Sequence, residues 1–507
     1  MSSCGNPAGD PEALMPRKSK FDKSRMCVRC KETPGNIVIR HAVYCKNCFA
    51  PLVQIKFRRS FEPHINRRPD GPRKLALKPS GDLLVGFSGG LGSTVLLDLV
   101  HRTYVDESAM KTETGGKAHP RKGKVWKNIR VCYVEICDAF PGIRDRTEEV
   151  RQAVDKYEGF EFVPLRIQDA FDPEWWRRVS GDTFTGNLDV DLTSEDLYTS
   201  PSSSTTSPLS SLQAYLQALP TSTAVASSIS TLTRLLLLYT AHSTGSSHLI
   251  LGTSLTSLSI ALISSISQGG GFTVPQEAQE EWTPFGSTPA SADEPWAGDV
   301  RVIRPLREIG MKECAAWAWW NQLPVVGKEK LPGMRQTIGG LTKDFIVGLE
   351  KDFPSTVSTI ARTVGKLAPK EDAGGHCIFC ERAAQSTVQE WKSRISIRSL
   401  SESSHPAEDD KEQRLTPLLC YFCHTTLTSR SSRSAAPTKP GAPVINPKVP
   451  LPVWVSWHLA HDAKQALAKT DHAENSKGAP EDDEVWRRKP LGQDAMKAAV
   501  SEFLLDE

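Results

Sequence analysis

Two features that would place the chain in or across a membrane are absent from the sequence. No apolar run approaches the length of about 18 residues that a transmembrane helix needs, and the leucine run 235–238 is far too short. The first ten residues, MSSCGNPAGD, contain no apolar signal-peptide core. We therefore expect a cytoplasmic protein without a membrane span.

Two familiar nucleotide-binding motifs are also absent from the glycine-rich stretch DLLVGFSGGLGSTVLLDLV at 82–100, which has neither a Walker A lysine nor a GxGxxG pattern. The stretch still predicts a strand, a glycine-rich loop and a helix in that order. Such a loop can hold phosphate, because glycines let backbone N–H groups approach an anion and the helix N-terminus adds partial positive charge. The alternative is a plain strand–turn–helix connection.

Charge is distributed unevenly along the 507 residues, a length that allows two to four domains. Residues 1–80 carry 17 Lys and Arg against 6 Asp and Glu, a net charge of +11, which leaves the remainder with 45 against 53, a net charge of −8. A basic N-terminal module on a mildly acidic body indicates a face that meets a polyanion. A solvated basic tail is the alternative.

Eight of the twelve cysteines form four C-x-x-C pairs, which fall into two groups: Cys27, Cys30, Cys45 and Cys48, then Cys377, Cys380, Cys420 and Cys423. Fourteen residues separate the first two pairs, as in zinc ribbons, and 39 mostly polar residues separate the others. Four thiolates suit the tetrahedral preference of Zn²⁺, so we predict two structural zinc sites in a reducing compartment. Redox pairs and an iron–sulfur cluster at one of the sites are the alternatives.

The segment after the first cysteine group interleaves basic residues with Phe57 and Phe61, which would suit a phosphate backbone and stacked bases. Its candidate tRNA-binding residues are Lys56, Arg58, Arg59, Arg67 and Arg68. A linker with ordinary solvated charges is the alternative.

Apolar strands alternate with helical patterns from residue 82 onward, with further strands predicted at 129–136, 160–167, 248–253 and 301–305. This alternation predicts an α/β fold with a doubly wound parallel sheet. Ligands of such sheets bind at the carboxyl ends of the strands, where the glycine-rich loop lies.

The predicted domain organisation has six parts. They are a disordered start at 1–24, a zinc ribbon at 25–50, a basic linker at 51–80, the α/β domain at 81–370 with insertions at 105–128, 193–233 and 272–298, a C-terminal zinc module at 371–430, and a tail with a terminal helix at 431–507. The middle insertion is predicted from composition, with 20 Ser and Thr among its 41 residues, and one helix is predicted in it around Leu212 to Leu219.

The glycine-rich loop resembles the PP-loop of the ATP pyrophosphatase family, SGG-x-D-S after a strand. Ser88, Gly89, Gly90 and Ser93 match, whereas Gly92 stands where that family has aspartate. Together with the two cysteine modules and the segment 344–367, the loop makes the chain similar to the tRNA 2-thiolation enzymes, and within them to the cytoplasmic tRNA 2-thiolation protein 2 family.

The resemblance implies a function in which an ATP-dependent complex converts the wobble uridine of tRNA Lys, Glu and Gln to 2-thiouridine. A thiocarboxylated ubiquitin-related modifier supplies the sulfur. Active members carry a C-x-x-C pair after the third strand and a His-Asn-Asp-Asp motif after the fourth. Here the first region has no Cys and the second reads GTSLTS at 252–257.

Three losses therefore coincide: the loop aspartate, the sulfur-handling cysteines and the acidic motif. Carboxylates hold Mg²⁺ on pyrophosphate and a thiolate delivers sulfur, so their absence predicts an auxiliary, non-catalytic subunit that binds tRNA and a catalytic thiolase subunit of the same family. Whether the loop still holds ATP stays open at this stage.

Two alternatives are kept. One is an adenylating tRNA sulfurtransferase active by itself, with Asp98 or Asp138 as recruited carboxylates. The other is a zinc-dependent interaction scaffold. Cys314, beside tryptophans on a predicted helix, is expected to be a buried apolar thiol.

Overall fold

The structure is a computed structural model that describes thirteen stretches of the chain: 25–66, 77–106, 125–140, 142–181, 186–193, 195–202, 206–274, 281–282, 300–327, 337–366, 376–385, 414–429 and 448–460. The predicted disordered start, most of the insertions at 105–128 and 272–298, and the predicted terminal helix lie outside these residues.

A six-stranded sheet forms the centre of the described chain. The strands in chain order are β1 (Ile37–Ile39), β2 (Ala42–Tyr44), β3 (Asp82–Gly86), β4 (Ile129–Glu135), β5 (Glu161–Arg166), β6 (Leu188–Asp191), β7 (Thr199–Pro201), β8 (Ser246–Leu251), β9 (Glu281–Trp282), β10 (Arg301–Ile303) and β11 (Lys448–Pro450). The central order is β5-β4-β3-β8-β10-β9, and only the β9–β10 pairing in it is antiparallel. All five predicted strands are therefore present, and the doubly wound parallel fold is confirmed.

Helices connect the strands and cover both faces of the sheet. They are α1 (Lys46–Phe61), α2 (Leu91–Tyr104), α3 (Thr147–Val154), α4 (Pro173–Ser180), α5 (Pro208–Ala218), α6 (Ser222–Ser243), α7 (Leu255–Ser267), α8 (Met311–Trp320), α9 (Ile338–Asp352), α10 (Pro354–Lys366), α11 (Tyr421–Thr428) and α12 (453–460).

The two faces of the sheet belong to two separate hydrophobic cores. Side chains alternate along β3, so Leu83 and Val85 pack with α1, α2 and α8, whereas Leu84 packs with α6 and the C-terminal cysteine module. The two cysteine modules consequently lie against opposite faces of the sheet.

The first half of the predicted basic linker is a helix, which corrects that prediction. Phe49, Val53, Phe57 and Phe61 recur every four residues along α1 and are all buried. This spacing places them on one helix face, where they pack into the core around Tyr104 and Trp126. The idea that Phe57 and Phe61 stack on bases is therefore wrong.

The Ser- and Thr-rich segment 193–233 contains the helix predicted around Leu212 to Leu219 and further secondary structure beside it. It contains β7, α5 and the start of α6. Leu212, Tyr215 and Leu216 of α5 are buried at helical spacing, so an apolar helix face runs through a Ser-rich sequence.

Helix α6 is long and apolar enough to cross a membrane by length and composition alone, but 67% of its apolar window is buried inside the protein. The leucines 235–238 all belong to that buried part. The helix thus has the surroundings of a core helix.

Residues 448–460 of the predicted tail pack on the body. Strand β11 pairs with β6, and Trp454, Val455 and Leu459 of α12 are buried in the same core as the C-terminal cysteines. Residues 448–460 pack in this way because the stretch 451–459 carries an apolar face.

Candidate nucleotide and metal sites

The glycine-rich loop lies at the topological switch point of the sheet. Strand β3, which precedes it, is flanked by β4 on one side and β8 on the other, so the chain connections leave in opposite directions there. A crevice at the carboxyl ends of these strands is the usual ligand site of such sheets. The loop is therefore in the position that a nucleotide site would need.

Internal hydrogen bonds hold the loop closed on itself. The Ser93 hydroxyl accepts from the backbone N–H of Ser88 at 3.2 Å and donates to the Gly90 carbonyl at 2.9 Å. The Thr94 hydroxyl donates to the same carbonyl at 3.0 Å. Gly89 adopts a φ of +70°, a left-handed conformation that favours glycine.

Gly92, the residue in place of aspartate, is in backbone contact with Gly252 at the end of β8. A Cβ on Gly92 would lie 2.2 Å from the Gly252 carbonyl oxygen, and a Cβ on Gly252 would lie 2.5 Å from Ser93 Cα. Two glycines thus let the start of α2 pack directly on the neighbouring strand end. In this arrangement an aspartate at 92 has no space without a backbone shift.

A later segment of the chain covers the outer side of the loop. The Gly327 N–H donates to the Gly89 carbonyl at 2.9 Å, and Val326 Cβ lies 3.4 Å from where a Cβ on Gly89 would be. Arg146 donates to the Gly327 carbonyl at 2.9 Å, so Gly327 is held both by the loop and by Arg146. Gly89 and Gly90 are buried as a result.

The segment that replaces the acidic motif caps a helix. Ser254 is the N-cap of α7, and its side chain accepts from the Ser257 N–H at 3.3 Å. Thr256 donates to the Glu350 carboxylate at 2.9 Å, and burial raises the pKa of that carboxyl group. These hydroxyls serve local structure and supply no metal ligand of the carboxylate type.

Both carboxylates of the single-enzyme alternative are engaged elsewhere. Asp98 is buried and accepts from Trp317 Nε1 at 2.8 Å and from Arg102 Nε at 3.0 Å, which ties α2 to α8. Asp138 accepts from Arg166 at 2.7 Å.

One acidic cluster near the switch point was missed by the sequence reasoning. Glu135, Cys137 and Asp145 bring their ligand atoms within 4.8 Å of one another at the end of β4. Glu135 already accepts from the N–H groups of Ile136, Cys137 and Arg146. Burial, and next the Glu135 charge, raise the pKa of the Cys137 thiol to about 11, so it is a poor nucleophile at neutral pH.

The first four cysteines come together as predicted. Their sulfurs lie within 4.8 Å of one another, and the Cys30 and Cys45 sulfurs are 3.8 Å apart. A tetrahedral site with Zn–S bonds of about 2.3 Å requires sulfurs about 3.8 Å apart, whereas a disulfide requires about 2.05 Å. A hydrogen bond with the Thr33 hydroxyl lowers the pKa of Cys30 to about 6, which favours the thiolate that a metal needs.

The second four cysteines form an equivalent cluster that is fully buried, with 3.7 Å between the Cys380 and Cys420 sulfurs. The module is joined to α6 because Tyr239 donates to Glu381 at 2.7 Å, and His458 contacts the same carboxylate at 2.7 Å. His424 contacts the Glu195 carbonyl at 2.9 Å and is no part of the cluster. Both clusters could hold a metal ion.

The predicted tRNA-binding residues have different surroundings. Lys56 forms an ion pair with Glu313 at 2.5 Å, with little of either side chain exposed. Arg58 lies 4.0 Å from Glu62, and Arg59 is exposed. Arg67 and Arg68 lie outside the described residues.

Cys314 is almost fully buried on α8, as expected for an apolar thiol, and burial raises its pKa to about 12. A second missed feature is a pocket of about 750 Å³ between the β1–β2 hairpin, α1 and α10. Its lining comes from parts of the chain that are far apart in sequence, so no local pattern could have predicted it.

Comparison with known proteins agrees with the sequence resemblance. A family model described as cytoplasmic tRNA 2-thiolation protein 2 matches residues 337–425. A protein of that name from Phaeosphaeria nodorum is 26% identical over 438 residues, covering 83% of this chain and all of the relative. The Bos taurus protein of that name is 28% identical and covers 74% of each chain. The resemblance to this family and the predicted cytoplasmic location are in accord with these names.

Among solved structures, the chain is similar to the U34-tRNA thiolase NcsA from Methanococcus maripaludis with its 4Fe-4S cluster. The TM-score is 0.43 at 15% identity, and the match covers 75% of this chain and 99% of that chain.

Proposed function

We propose that this chain is an auxiliary, non-catalytic subunit of a cytosolic tRNA thiolase. In this proposal it binds tRNA and a catalytic thiolase subunit of the same family, and the complex converts the wobble uridine of tRNA Lys, Glu and Gln to 2-thiouridine. The sulfur comes from a thiocarboxylated ubiquitin-related modifier. The similarity to cytoplasmic tRNA 2-thiolation proteins over most of the chain supports the reaction class.

The contact between Gly92 and Gly252 carries the non-catalytic part of the proposal. A carboxylate at position 92 is sterically excluded by the Gly252 carbonyl, and the cover by Val326 and Gly327 buries the glycines that would face phosphate. The loop therefore keeps the position of a nucleotide site but lacks its acidic group and its open face.

The hydrogen bonds of two carboxylates argue against the alternative in which this chain is a sulfurtransferase active by itself. Asp98 accepts hydrogen bonds from Trp317 and Arg102, and Asp138 accepts one from Arg166. Mg²⁺ on pyrophosphate would have to compete with these hydrogen bonds for both carboxylates.

We also propose that each four-cysteine cluster holds one Zn²⁺. The sulfur separations of 3.7 and 3.8 Å fit the tetrahedral geometry of four thiolates around zinc. When bound, zinc would supply structural cross-linking of each module and no catalytic step.

The test is thiolation by a reconstituted complex of the full chain, its catalytic subunit, tRNA, ATP and the sulfur donor. The product is measured by retardation of thiolated tRNA in a mercury-containing gel. We expect omission of this chain to reduce product at least tenfold. Ser88→Ala removes an exposed hydroxyl from the loop, and we expect it to leave the rate within twofold of wild type.

Two results would contradict the proposal. Full thiolation without this chain would remove its role in the complex. A loss of thiolation in Ser88→Ala, with unchanged melting temperature, would indicate that the loop takes part in the chemistry.

A further inference from the structure

The pocket between the β1–β2 hairpin, α1 and α10 is basic. Its charged lining consists of five Lys or Arg residues and one acidic residue: Arg40, Lys56, Arg59, Arg307, Arg362 and Glu308. Lys56 is paired with Glu313, and the exposed Arg40, Arg59 and Arg362 still outnumber the single carboxylate of the lining. Such a surplus of positive charge in a concave site attracts anions.

Three of these arginines are available to a ligand. Arg40, Arg59 and Arg362 are exposed, and within the described ranges they form no ion pair or hydrogen bond. They come from the hairpin turn, α1 and α10 respectively, so the fold brings together three guanidinium groups from separate elements. An arginine guanidinium suits phosphate because it presents a planar fork of N–H donors.

Arg40 occupies a backbone conformation that disfavours it. It is the first residue of the two-residue turn between β1 and β2 and has a φ of +54°. Glycine is the usual residue at a first turn position with positive φ. A strained residue, which points to a functional constraint, is therefore part of the lining of the basic pocket.

Apart from His41 and Ser358, the remaining residues that line the pocket are mainly apolar. Val28, Tyr44, Leu52 and Leu255 line it beside the arginines. Its volume of about 750 Å³ lies within the range of small-molecule sites. Apolar walls beside guanidinium groups suit a nucleotide, which has a phosphate at one end and a flat base at the other.

We propose that this pocket binds phosphate groups of an RNA strand, with Arg40, Arg59 and Arg362 as the contacting residues. The inference rests on the proposed function, since it assigns the place where tRNA meets this subunit. The group that the pocket recognises is a nucleoside phosphate, which occurs in an RNA strand and also in a free nucleotide such as ATP. The glycine-rich loop and this pocket have no residue in common, although Leu255 of the pocket follows closely after Gly252, which contacts the loop at Gly92.

The test compares tRNA binding by the full chain and by the triple variant Arg40→Gly, Arg59→Gln, Arg362→Gln, over a range of salt concentrations. Each phosphate contact contributes about 0.7 to 0.9 to the slope of log affinity against log salt, so we expect the slope to fall by about 2. If the affinities converge near 1 M salt, this slope corresponds to about fortyfold weaker binding at 0.15 M.

The controls separate binding from folding. Arg40→Gly relieves backbone strain, so we expect its melting temperature to equal or exceed that of wild type while its tRNA affinity falls. Lys156→Gln removes an exposed charge that does not line the pocket, and we expect it to keep the wild-type salt slope. In a parallel arm, ATP is titrated against bound tRNA, and we expect no displacement at 1 mM.

Unchanged salt slopes in the triple variant would overturn the inference, as would displacement of tRNA by ATP that requires the same arginines. Two combinations of results distinguish an error in the pocket assignment from an error in the proposed function. If the wild-type complex still thiolates tRNA while the triple variant binds it normally, only the pocket assignment is wrong. If omission of the chain leaves thiolation intact, the function itself is wrong.

Discussion

Restoring the family aspartate at position 92 is expected to damage the fold without restoring ATP chemistry. The Gly92 Cβ position lies 2.2 Å from the Gly252 carbonyl oxygen, so any side chain there must move backbone at the switch point. A Cβ in this position is about 1 Å closer to that oxygen than packed atoms allow. Forced overpacking of this kind costs about 1–3 kcal/mol.

A matched glycine makes the test specific. Gly348 also lies inside a helix, α9, but a Cβ there meets nothing within 4 Å. Gly348→Ala should therefore gain the usual helix preference of about 0.5–1 kcal/mol, whereas Gly92→Ala should lose more through overlap than it gains. Thermal and urea unfolding of both variants should place the stability of wild type between them.

Gly92→Asp should be at least as unstable as Gly92→Ala and should release no pyrophosphate above background from ATP and tRNA. If Gly92→Ala is as stable as Gly348→Ala, the contact with Gly252 does not constrain the loop. If Gly92→Asp turns over ATP, the loop is a nucleotide site that lacked only its carboxylate.

Three further predictions address the metal sites, the core and pH. Cys377→Ser should lower the metal content by one equivalent per chain and reduce the melting temperature, because the buried cluster packs in the main core; inductively coupled plasma analysis and calorimetry measure both. Trp317→Phe leaves Asp98 buried without its indole donor, so it should lower the free energy of unfolding in urea by about 1–3 kcal/mol. A variant as stable as wild type would contradict a stabilising role of the Trp317–Asp98 hydrogen bond. A hydrogen bond from Thr147, together with Arg166, lowers the pKa of Asp145 below its ordinary value. Because the folded pKa is the lower one, the stabilisation is present above about pH 4 and is lost as pH falls through the folded pKa. Asp145→Asn should then be less stable than wild type at pH 7, and pH-resolved unfolding should show this difference shrinking as the pH falls below about 4.

The central sheet could be predicted from sequence because its signal is local. Short runs of β-branched and apolar residues such as 129–135 are typical of strands buried between two helical layers. The cysteine clusters could also be predicted, since the C-x-x-C spacing sets two sulfurs on one turn wherever the chain goes.

Composition misled the prediction where the helical period was the stronger signal. The spacing of Phe49, Val53, Phe57 and Phe61 is that of a buried helix face, yet the neighbouring charges suggested a linker. In the Ser-rich segment, by contrast, the apolar spacing of Leu212 and Leu216 predicted the helix that the structure contains. Burial is decided by the apolar stripe, because polar residues on the opposite face remain in water.

The state of the candidate site could be predicted only in part. The missing aspartate is visible in the sequence, but the contact of Gly92 with Gly252 and the cover by Gly327 join residues that are 160 and more than 230 positions apart. The basic pocket likewise unites Arg40 with Arg362. Such proximity depends on the tertiary fold, which no local pattern encodes.

The non-catalytic role is tested most directly by ATP turnover of the purified full chain in the presence of tRNA and Mg²⁺, measured as pyrophosphate release. We expect no release above background from this chain alone, and release once the catalytic subunit is added. Multiple turnovers by the chain alone would contradict the claim that its glycine-rich loop no longer performs chemistry.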